Sequence, residues 1–414
     1  MSLKLRLIVM NFLQFFVWGA WLISIGAYWF QNKHWSGTQF GAIFSTMGIA
    51  SLFMPTIAGI LADRWINAER LYGILHLLGA GLLLVLPTVE DPGTFFWVIL
   101  LTMMCYMPTI ALAIAVSYNA LKQGGEDIVQ VYPPIRVWGT VGFVIAMWFT
   151  DLSGAVLTTG QLYISAAAAA FLGLYGFTMA SCPPYRNPNR QTVFEALGLD
   201  AFVLFRRTQM VFFFLCAMLL GGALQITNAF GGDFLTDFKS TYPDSFGVHH
   251  PILLSSISQI SETLFILTIP FFLRRFGIKV VMLIAIFAWM FRFGLFAYGD
   301  PGPGLWMLVL SMIVYGMAFD FFNISGSMFV NLEANPRIRA SAQGLFMIMT
   351  NGLGAFFGTM LAGAVVDHYT VSGVRDWHGI WLTFAGYALA LGVVFPFVFR
   401  YRHDPAKMAA AAAH

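Results

Sequence analysis

A carboxylate and a carboxamide interrupt an otherwise apolar stretch of the chain, at Asp320 and Asn323. In a helix these two side chains and Ser327 share one stripe, with the aromatic rings of Tyr315 and Phe322 beside it. An ionisable group at bilayer depth costs roughly 3 kcal/mol or more, so it is expected to face a cavity on a substrate or proton path. The stretch is therefore a candidate binding site.

Three other apolar stretches carry polar pairs at helical spacing: Arg136 with Thr140, Gln225 with Asn228, and Gln259 with Glu262. Any one pair is explained equally well by hydrogen bonding between helices, but four pairs together favour a shared ligand site. Amides and carboxylates suit a neutral ligand rich in hydroxyls and ring nitrogens, whereas a phosphorylated ligand would need clustered Lys and Arg. Phe143, on the Arg136 face, offers a ring for stacking, although packing is the commoner use of an aromatic side chain.

Two roles stay open at this point. Arg136 lies near a helix end, where it either reaches the central site or extends to the membrane surface. Glu262 and Asp320 are expected to be buried, and a buried carboxyl that gains and loses a proton can couple protons to a substrate. The alternative is an ion pair with Arg136 or with Arg292, for which the sequence predicts only pairing or extension to the surface.

The elements that carry these residues are predicted to be membrane helices. Of the 414 residues, 59% are hydrophobic and only 10% are charged, with a mean hydropathy of +0.76, where a soluble domain has about 25% charged residues. Apolar runs of about 20 residues recur along the whole chain. They predict an all-α integral membrane protein with twelve spans, beginning with a retained helix near Leu7 to Phe30.

Charge and cysteine usage exclude several classes of function. Nearly all Lys and Arg residues fall on the side of the two termini, and only Lys33, Lys239 and Arg375 fall on the other, which predicts cytoplasmic termini. No basic patch suggests a nucleic acid partner. The three cysteines are isolated, so no disulfide framework and no metal site is predicted. No cofactor is expected.

The chain divides near its middle at a polar, proline-containing segment. We predict a first six-helix bundle over 1–182, a cytoplasmic linker over 183–205, a second six-helix bundle over 206–402 and a tail over 403–414. Two bundles of this kind are the parallel repeat found in many secondary transporters.

One loop carries the first resemblance. The segment from Gly59 through Asp63 and Arg64 to Arg70 resembles the G-x-L-a-D-R-x-x-x-x-R loop of the major facilitator superfamily. Gly59 is expected to permit close helix approach, and Asp63 to hold a helix N-terminus or an arginine, so that the loop locks one conformation. The alternative is a loop with ordinary ion pairs. The corresponding segment of the second half, at Arg274 and Arg275, lacks the aspartate.

Longer stretches across nearly the whole chain are similar to the bacterial nucleoside:proton symporter family. They are Tyr132-Pro-Pro-Ile-Arg136-Val-Trp-Gly-Thr140-Val-Gly-Phe143, Leu197-Gly-Leu-Asp200-Ala-Phe, Leu224-Gln225-Ile-Thr-Asn228, Ser258-Gln259-Ile-Ser-Glu262, the run from Val314 to Ser327, and Ile338-Arg-Ala-Ser-Ala-Gln343-Gly. The resemblance implies proton-driven uptake of purine and pyrimidine ribonucleosides, with xanthosine as one candidate, across the bacterial inner membrane by alternating access. A monomer is expected.

The resemblance also implies which side chains line the central site: Arg136, Thr140, Phe143, Gln225, Asn228, Gln259, Glu262, Tyr315, Asp320, Phe322 and Asn323. As a hypothesis, Gln225, Asn228, Gln259 and Glu262 hold ribose hydroxyls or base edges, while Phe143 and Phe322 stack on the base. Asp320 binds substrate or protons, and Arg136 orders that carboxylate or the base carbonyls. Glu262 and Asp320 are both candidates for proton coupling.

Two other functions remain as alternatives. A proton-coupled sugar or polyol carrier of the same fold would use the same amides, although the additional aromatic residues and the family stretches argue against it. A non-transporting membrane sensor would tolerate loss of the loop motif. An enzyme is not expected, because no nucleophile with a base and no metal cluster is visible.

Overall fold

The computed structural model describes residues 2–184, 199–335, 338–399 and 401. Most of the predicted linker 183–205, including Leu197 and Gly198 of the family stretches, lies outside the described residues, as does the whole predicted tail 403–414. The described residues are almost entirely helical. The one sheet pairs two short strands, β1 (Thr370–Val371) and β2 (Val374–Arg375), in antiparallel register.

The chain forms two compact units, with bounds 1–190 plus 228–233, and 191–227 plus 234–414. The predicted domain boundaries stay a prediction. The helices up to residue 176 are α1 (Leu3–Gly19), α2 (Ile25–Ala27), α3 (Gly37–Arg64), α4 (Ala68–Val85), α5 (Pro92–Gln123), α6 (Ile128–Leu152) and α7 (Gly160–Gly176). A π-helical segment (Tyr28–Lys33) follows α2, and a 3₁₀ turn (Leu86–Thr88) follows α4.

From residue 199 onward, a 3₁₀ segment (Leu199–Arg206) leads into eight helices and two further irregular helical segments. The helices are α8 (Thr208–Asp237), α9 (Phe246–His249), α10 (Pro251–Ile266), α11 (Ile269–Tyr298), α12 (Leu305–Glu333), α13 (Arg339–Met347), α14 (Ala355–His368) and α15 (Trp377–Val398). A 3₁₀ turn (Phe238–Ser240) follows α8, and a π-helical segment (Ile348–Gly354) joins α13 to α14.

Among the described residues, nine helical segments are long and apolar enough to cross a membrane: α3, α4, α5, α6, α8, α11, α12, the continuous α13 to α14 segment, and α15. Helix α10 is a shorter apolar helix. The prediction of an all-helical membrane protein is therefore confirmed. The count of twelve spans stays a prediction.

Proline and glycine residues act differently on two helices, α6 and α11. The adjacent prolines Pro133 and Pro134 predict that any upstream helix stops before them. This prediction is wrong, because α6 begins at Ile128 and runs through both residues. Each proline lacks the N–H that would donate to the carbonyl oxygen four residues earlier. Both of those carbonyl groups belong to the first turn of α6, so only two hydrogen bonds are lost, near the start of the helix. Within α11, Gly277 has φ 75° and ψ 167°, which breaks the helix where the sequence places the end of a span.

Close backbone packing in the second unit brings α8 against the end of the α13 to α14 segment. A Cβ atom added at Gly358 would lie 2.3 Å from the Cα of Gly222, and one added at Gly354 would lie 2.4 Å from the carbonyl oxygen of Met218. Only glycine permits such an approach in lipid. Gly354 and Gly358 stand four positions apart in an apolar stretch, a spacing that predicts close helix contact, and this prediction is confirmed.

Candidate functional site

Asp320 is a buried carboxyl in the middle of α12, with only 4% of its surface exposed. Its Oδ2 atom has no hydrogen-bond partner within the described part of the chain. Buried polar atoms are nearly always paired, and each exception needs an explanation. The predicted burial of Asp320 is thus confirmed, and its Oδ2 atom is left unpaired by the described residues.

Tyr315 is the side chain around which the polar groups of the second unit gather. It is buried in α12, its hydroxyl is within hydrogen-bonding reach of Gln259 on α10, and Glu262 and Asp320 are near enough to interact with it electrostatically. Helices α10 and α12 are in direct contact, since a Cβ at Gly316 would lie 2.6 Å from the Ser261 carbonyl oxygen. Glu262 is half-buried rather than buried, so that expectation holds only in part.

Arg292 enters this group from α11, which corrects the expectation that it pairs with an acid or extends to the surface. Only 4% of the residue is exposed, and its guanidinium carbon lies 4.8 Å from the ring centre of Tyr315 and 5.0 Å from that of Phe296. Its Nη1 donates to the Ser311 carbonyl oxygen at 2.7 Å. Among the described residues it makes no ion pair, and its Nε has no partner.

The periodic pattern of apolar residues could not reveal this position, because an arginine near a helix end usually reaches water. The structural reason is the aromatic pair. Rings of Tyr315 and Phe296 offer a cation the negative faces that stabilise it without a carboxylate. The Ser311 hydroxyl returns a hydrogen bond of 3.0 Å to the Arg292 carbonyl oxygen, which ties α11 to α12 at this level.

The remaining predicted residues of the second unit lie along α8 and α12. Gln225 is buried, Asn323 is half-buried, and Phe322 is buried face to face with Phe213 at a centroid distance of 6.3 Å. Asn323 also lines a small cleft with Phe322. Four predicted site residues (Gln259, Glu262, Tyr315 and Asp320) are therefore brought together, with Gln225, Phe322 and Asn323 elsewhere in the same unit.

Four predicted site residues belong to the first unit: Arg136, Thr140 and Phe143 on α6, and Asn228. The Arg136 guanidinium carbon lies 4.1 Å from the ring centre of Phe15, and the residue is half-buried rather than fully exposed. Phe143 is buried and meets the ring of Trp18 edge-on at 6.4 Å. The predicted shared face of Arg136, Thr140 and Phe143 therefore lies on an intact helix.

The segment from the end of α3 to the first turn of α4 contains a buried acid, Glu69, that the sequence analysis did not single out. Asp63, Arg64 and Arg70 are exposed, and apart from the adjoining helix backbone no atom of the described residues lies within 4 Å of a Cβ placed on Gly59, so the expected close approach there is wrong. Glu69 is buried instead, and its Oε2 accepts from the main-chain N–H of Cys182 at 2.8 Å. An acid in the first turn of a helix was the available signal.

A buried polar network occupies the first unit around Gln14. Its Oε1 accepts from the Tyr72 hydroxyl at 2.7 Å and lies 3.0 Å from Nε2 of His76, while its Nε2 donates to Thr109 at 2.9 Å. The Tyr106 hydroxyl donates to the main-chain carbonyl oxygen of Gln14 at 2.7 Å. A lone histidine on an apolar helix, such as His76 on α4, is predicted to be a satisfied interior group, and this prediction is confirmed.

Comparison with known proteins places the chain in a family. The nucleoside H+ symporter family model matches residues 1–404. The chain is 53% identical to a xanthosine permease of Escherichia coli K12, over 99% of this chain and 98% of the relative. It is 51% identical to the nucleoside permease NupG of the same organism, over 97% of each chain.

Solved structures agree. The crystal structure of the nucleoside transporter NupG superposes with a TM-score of 0.93 at 51% identity, over 97% of this chain and 100% of that one. A bacterial homologue of the lysosomal transporter Spinster, at 15% identity and a TM-score of 0.70, shares the fold over 96% of this chain and 95% of that one. These are membrane transporters, not enzymes. The chain belongs to the nucleoside H+ symporter family.

Proposed function

We propose that this chain carries nucleosides into the cell together with protons, by alternating access of two halves. The observation that supports this most strongly is the unpartnered, buried carboxyl of Asp320 beside the half-buried Glu262. A carboxyl in this setting can take up and release a proton as the site opens to either side of the membrane. Family membership supplies the substrate class.

The proposed membrane arrangement has twelve spans, both termini in the cytoplasm and a monomer in the bacterial inner membrane. Three shorter or interrupted segments complete the count: Leu3–Gly19 with the helical turns that follow it to Lys33, Gly160–Gly176, and Pro251–Ile266 continued to Phe276. The break at Gly277 then separates the eighth span from the ninth. The one-sided distribution of Lys and Arg supports the orientation.

Each unit supplies predicted substrate-binding residues. In the first unit, Arg136 orders a carboxylate or a base carbonyl, Thr140 adds a hydroxyl, Phe143 stacks on the base, and Asn228 holds ribose hydroxyls or base edges. In the second unit, Gln225, Gln259 and Glu262 hold ribose hydroxyls or base edges, Phe322 stacks on the base, and Tyr315 and Asn323 are further lining residues. The side chains offer many neutral donors and acceptors, as a nucleoside requires.

The experiment is uptake of labelled uridine, adenosine and xanthosine into proteoliposomes, with and without an inward proton gradient and with glucose and xylose as competitors. We expect gradient-dependent uptake that only nucleosides inhibit. Inhibition by the sugars with indifference to nucleosides would instead identify a sugar carrier. Binding of nucleosides without any flux would identify a sensor, and either result would overturn the proposal.

A further inference from the structure

A small cleft in the second unit is lined by two carboxamides from different helical segments, Asn323 from α12 and Asn351 from the π-helical segment Ile348–Gly354. Trp289, Phe319 and Phe322 supply aromatic walls. Its cavity volume is about 10 Å³, which is the space of about one water molecule. In this state the cleft can take an edge or a substituent of a ring, and not a whole nucleoside.

The π-helical segment determines where Asn351 points. A Cβ atom at Gly221 would lie 2.1 Å from the Thr350 carbonyl oxygen, so α8 presses directly on this backbone. A π turn inserts a residue into the helical register and often occurs at functional sites, because it changes the direction of the side chains on it. Here Thr350 is buried and its hydroxyl is satisfied by the Phe346 carbonyl oxygen at 2.9 Å, while the next residue, Asn351, lines the cleft.

Neither carboxamide has its hydrogen-bonding capacity satisfied by the part of the chain that the structure describes. Asn323 makes no hydrogen bond within the described residues, and the single polar contact of Asn351 is a long one, 3.7 Å from Nδ2 to the sulfur of Met347. A buried amide that only stabilises helix packing is bonded to its neighbours, as Gln343 is. The Gln343 side chain accepts from the Ser327 hydroxyl at 2.9 Å and donates to the Ser327 carbonyl oxygen at 2.7 Å.

We infer that Asn351, with Asn323, forms a subsite that reads the hydrogen-bonding edge of the nucleobase and so sets base preference. The inference rests on the proposed function. Each carboxamide offers both a donor and an acceptor, which match a ring carbonyl or an exocyclic amino group. The walls of the cleft are aromatic or aliphatic and carry no charge, which suits the flat base better than the hydroxylated ribose.

The test compares uptake of three purine nucleosides by proteoliposomes: inosine with a 6-carbonyl, adenosine with a 6-amino group, and purine riboside with neither. Asn351→Leu is expected to raise KM for inosine and adenosine about ten-fold relative to purine riboside, because a site that loses one partner of a buried hydrogen bond loses affinity on that order. Asn351→Asp keeps the acceptor and loses the NH₂ donor, so inosine should be affected and adenosine spared.

The matched control is Gln343→Leu, which removes an amide that the protein already satisfies. It should change uptake of all three nucleosides by one common factor. Equal effects of Asn351→Leu on the three nucleosides, or no effect, would overturn the subsite while leaving nucleoside transport intact. Failure of the unaltered protein to carry any of the three would overturn the proposed function itself.

Discussion

Gln14 in the first unit and Asp320 in the second are both buried polar side chains within apolar helices, but their surroundings differ. Both the carbonyl oxygen and the amide nitrogen of the Gln14 side chain are hydrogen-bonded, and Tyr72, His76 and Thr109 use them. The Oδ2 atom of Asp320 has no hydrogen-bond partner among the described residues. The Nε atom of nearby Arg292 has none there either. The Gln14 side chain thus has its partners within the protein, whereas one oxygen of Asp320 has none among the described residues.

This difference separates two uses of polarity in a membrane protein. A satisfied network fixes the helices that carry it, because breaking any of its bonds leaves a buried group unpaired. A buried polar group without a partner lowers the stability of the folded state by about 1–3 kcal/mol. A contribution to stability therefore does not explain why such a group is present. We therefore propose that the region around Gln14 stabilises the fold and that the region around Asp320 takes part in transport.

The largest effect is expected from Asp320→Asn. Asparagine has nearly the same shape but cannot release a proton, so accumulation of nucleoside against a gradient should fall at least about ten-fold. Exchange of labelled for unlabelled nucleoside should persist, because it needs no net proton movement. Uptake and exchange in proteoliposomes measure the two quantities.

Glu262→Gln is the companion to that variant, since both carboxyls are candidates for the proton. Whichever residue couples the proton should lose accumulation and keep exchange. Normal accumulation by both variants would show that neither carries it.

Gln14→Leu should act on stability instead. It leaves the polar groups of Tyr72, His76 and Thr109 without their partner, which is expected to lower the free energy of unfolding by roughly 3 kcal/mol. Thermal unfolding of the purified protein measures this. Gln130→Leu removes an exposed glutamine on α6, and it should leave the melting temperature unchanged. A similar drop for both variants would remove the special role of the network.

The smallest effect is expected at Asp91, which caps α5 outside the membrane spans. Hydrogen bonds from the Thr94 main-chain N–H at 2.7 Å and its hydroxyl at 3.0 Å hold the pKa of the Asp91 carboxyl below its ordinary value. The folded state therefore gains stability from the ionised form above the unfolded pKa, and loses it as the pH falls through the lower folded pKa.

Asp91→Ala should accordingly lower the melting temperature by about 1–2 °C at neutral pH. The difference from the unaltered protein should shrink as the pH falls below about 4, near the ordinary pKa of aspartate. A difference that stays constant down to acidic pH would mean that the carboxylate charge plays no part in this cap.

Much of this organisation can be predicted from sequence. Hydropathy predicts membrane helices, and the cost of a charge in lipid predicts that Asp320 is buried, as the structure confirms. Gly354 and Gly358 are recognisable because small residues four positions apart permit close helix contact. These inferences depend on the residue itself and its neighbours along one helix.

The parts that sequence does not predict depend on contacts between helices. From sequence, Arg292 is expected to pair with an acid or to extend to the membrane surface. In the structure its guanidinium group lies instead against the rings of Tyr315 and Phe296. The burial of Glu69 depends on Cys182, which is far away along the chain. Among the described residues, no other helix lies against Gly59. Pro133 and Pro134 are tolerated because the acceptors that they leave unused belong to the first turn of α6. The π-helical register around Asn351 likewise follows from packing against α8.

The decisive measurement compares Asp320→Asn with Gln14→Leu in both assays at once, gradient-driven nucleoside uptake per folded molecule and melting temperature. We predict opposite outcomes: Asp320→Asn loses uptake and keeps or raises the melting temperature, whereas Gln14→Leu lowers the melting temperature and keeps uptake. If Gln14→Leu abolished uptake by the folded protein while Asp320→Asn transported normally, the assignment of structure and transport to these two regions would be contradicted.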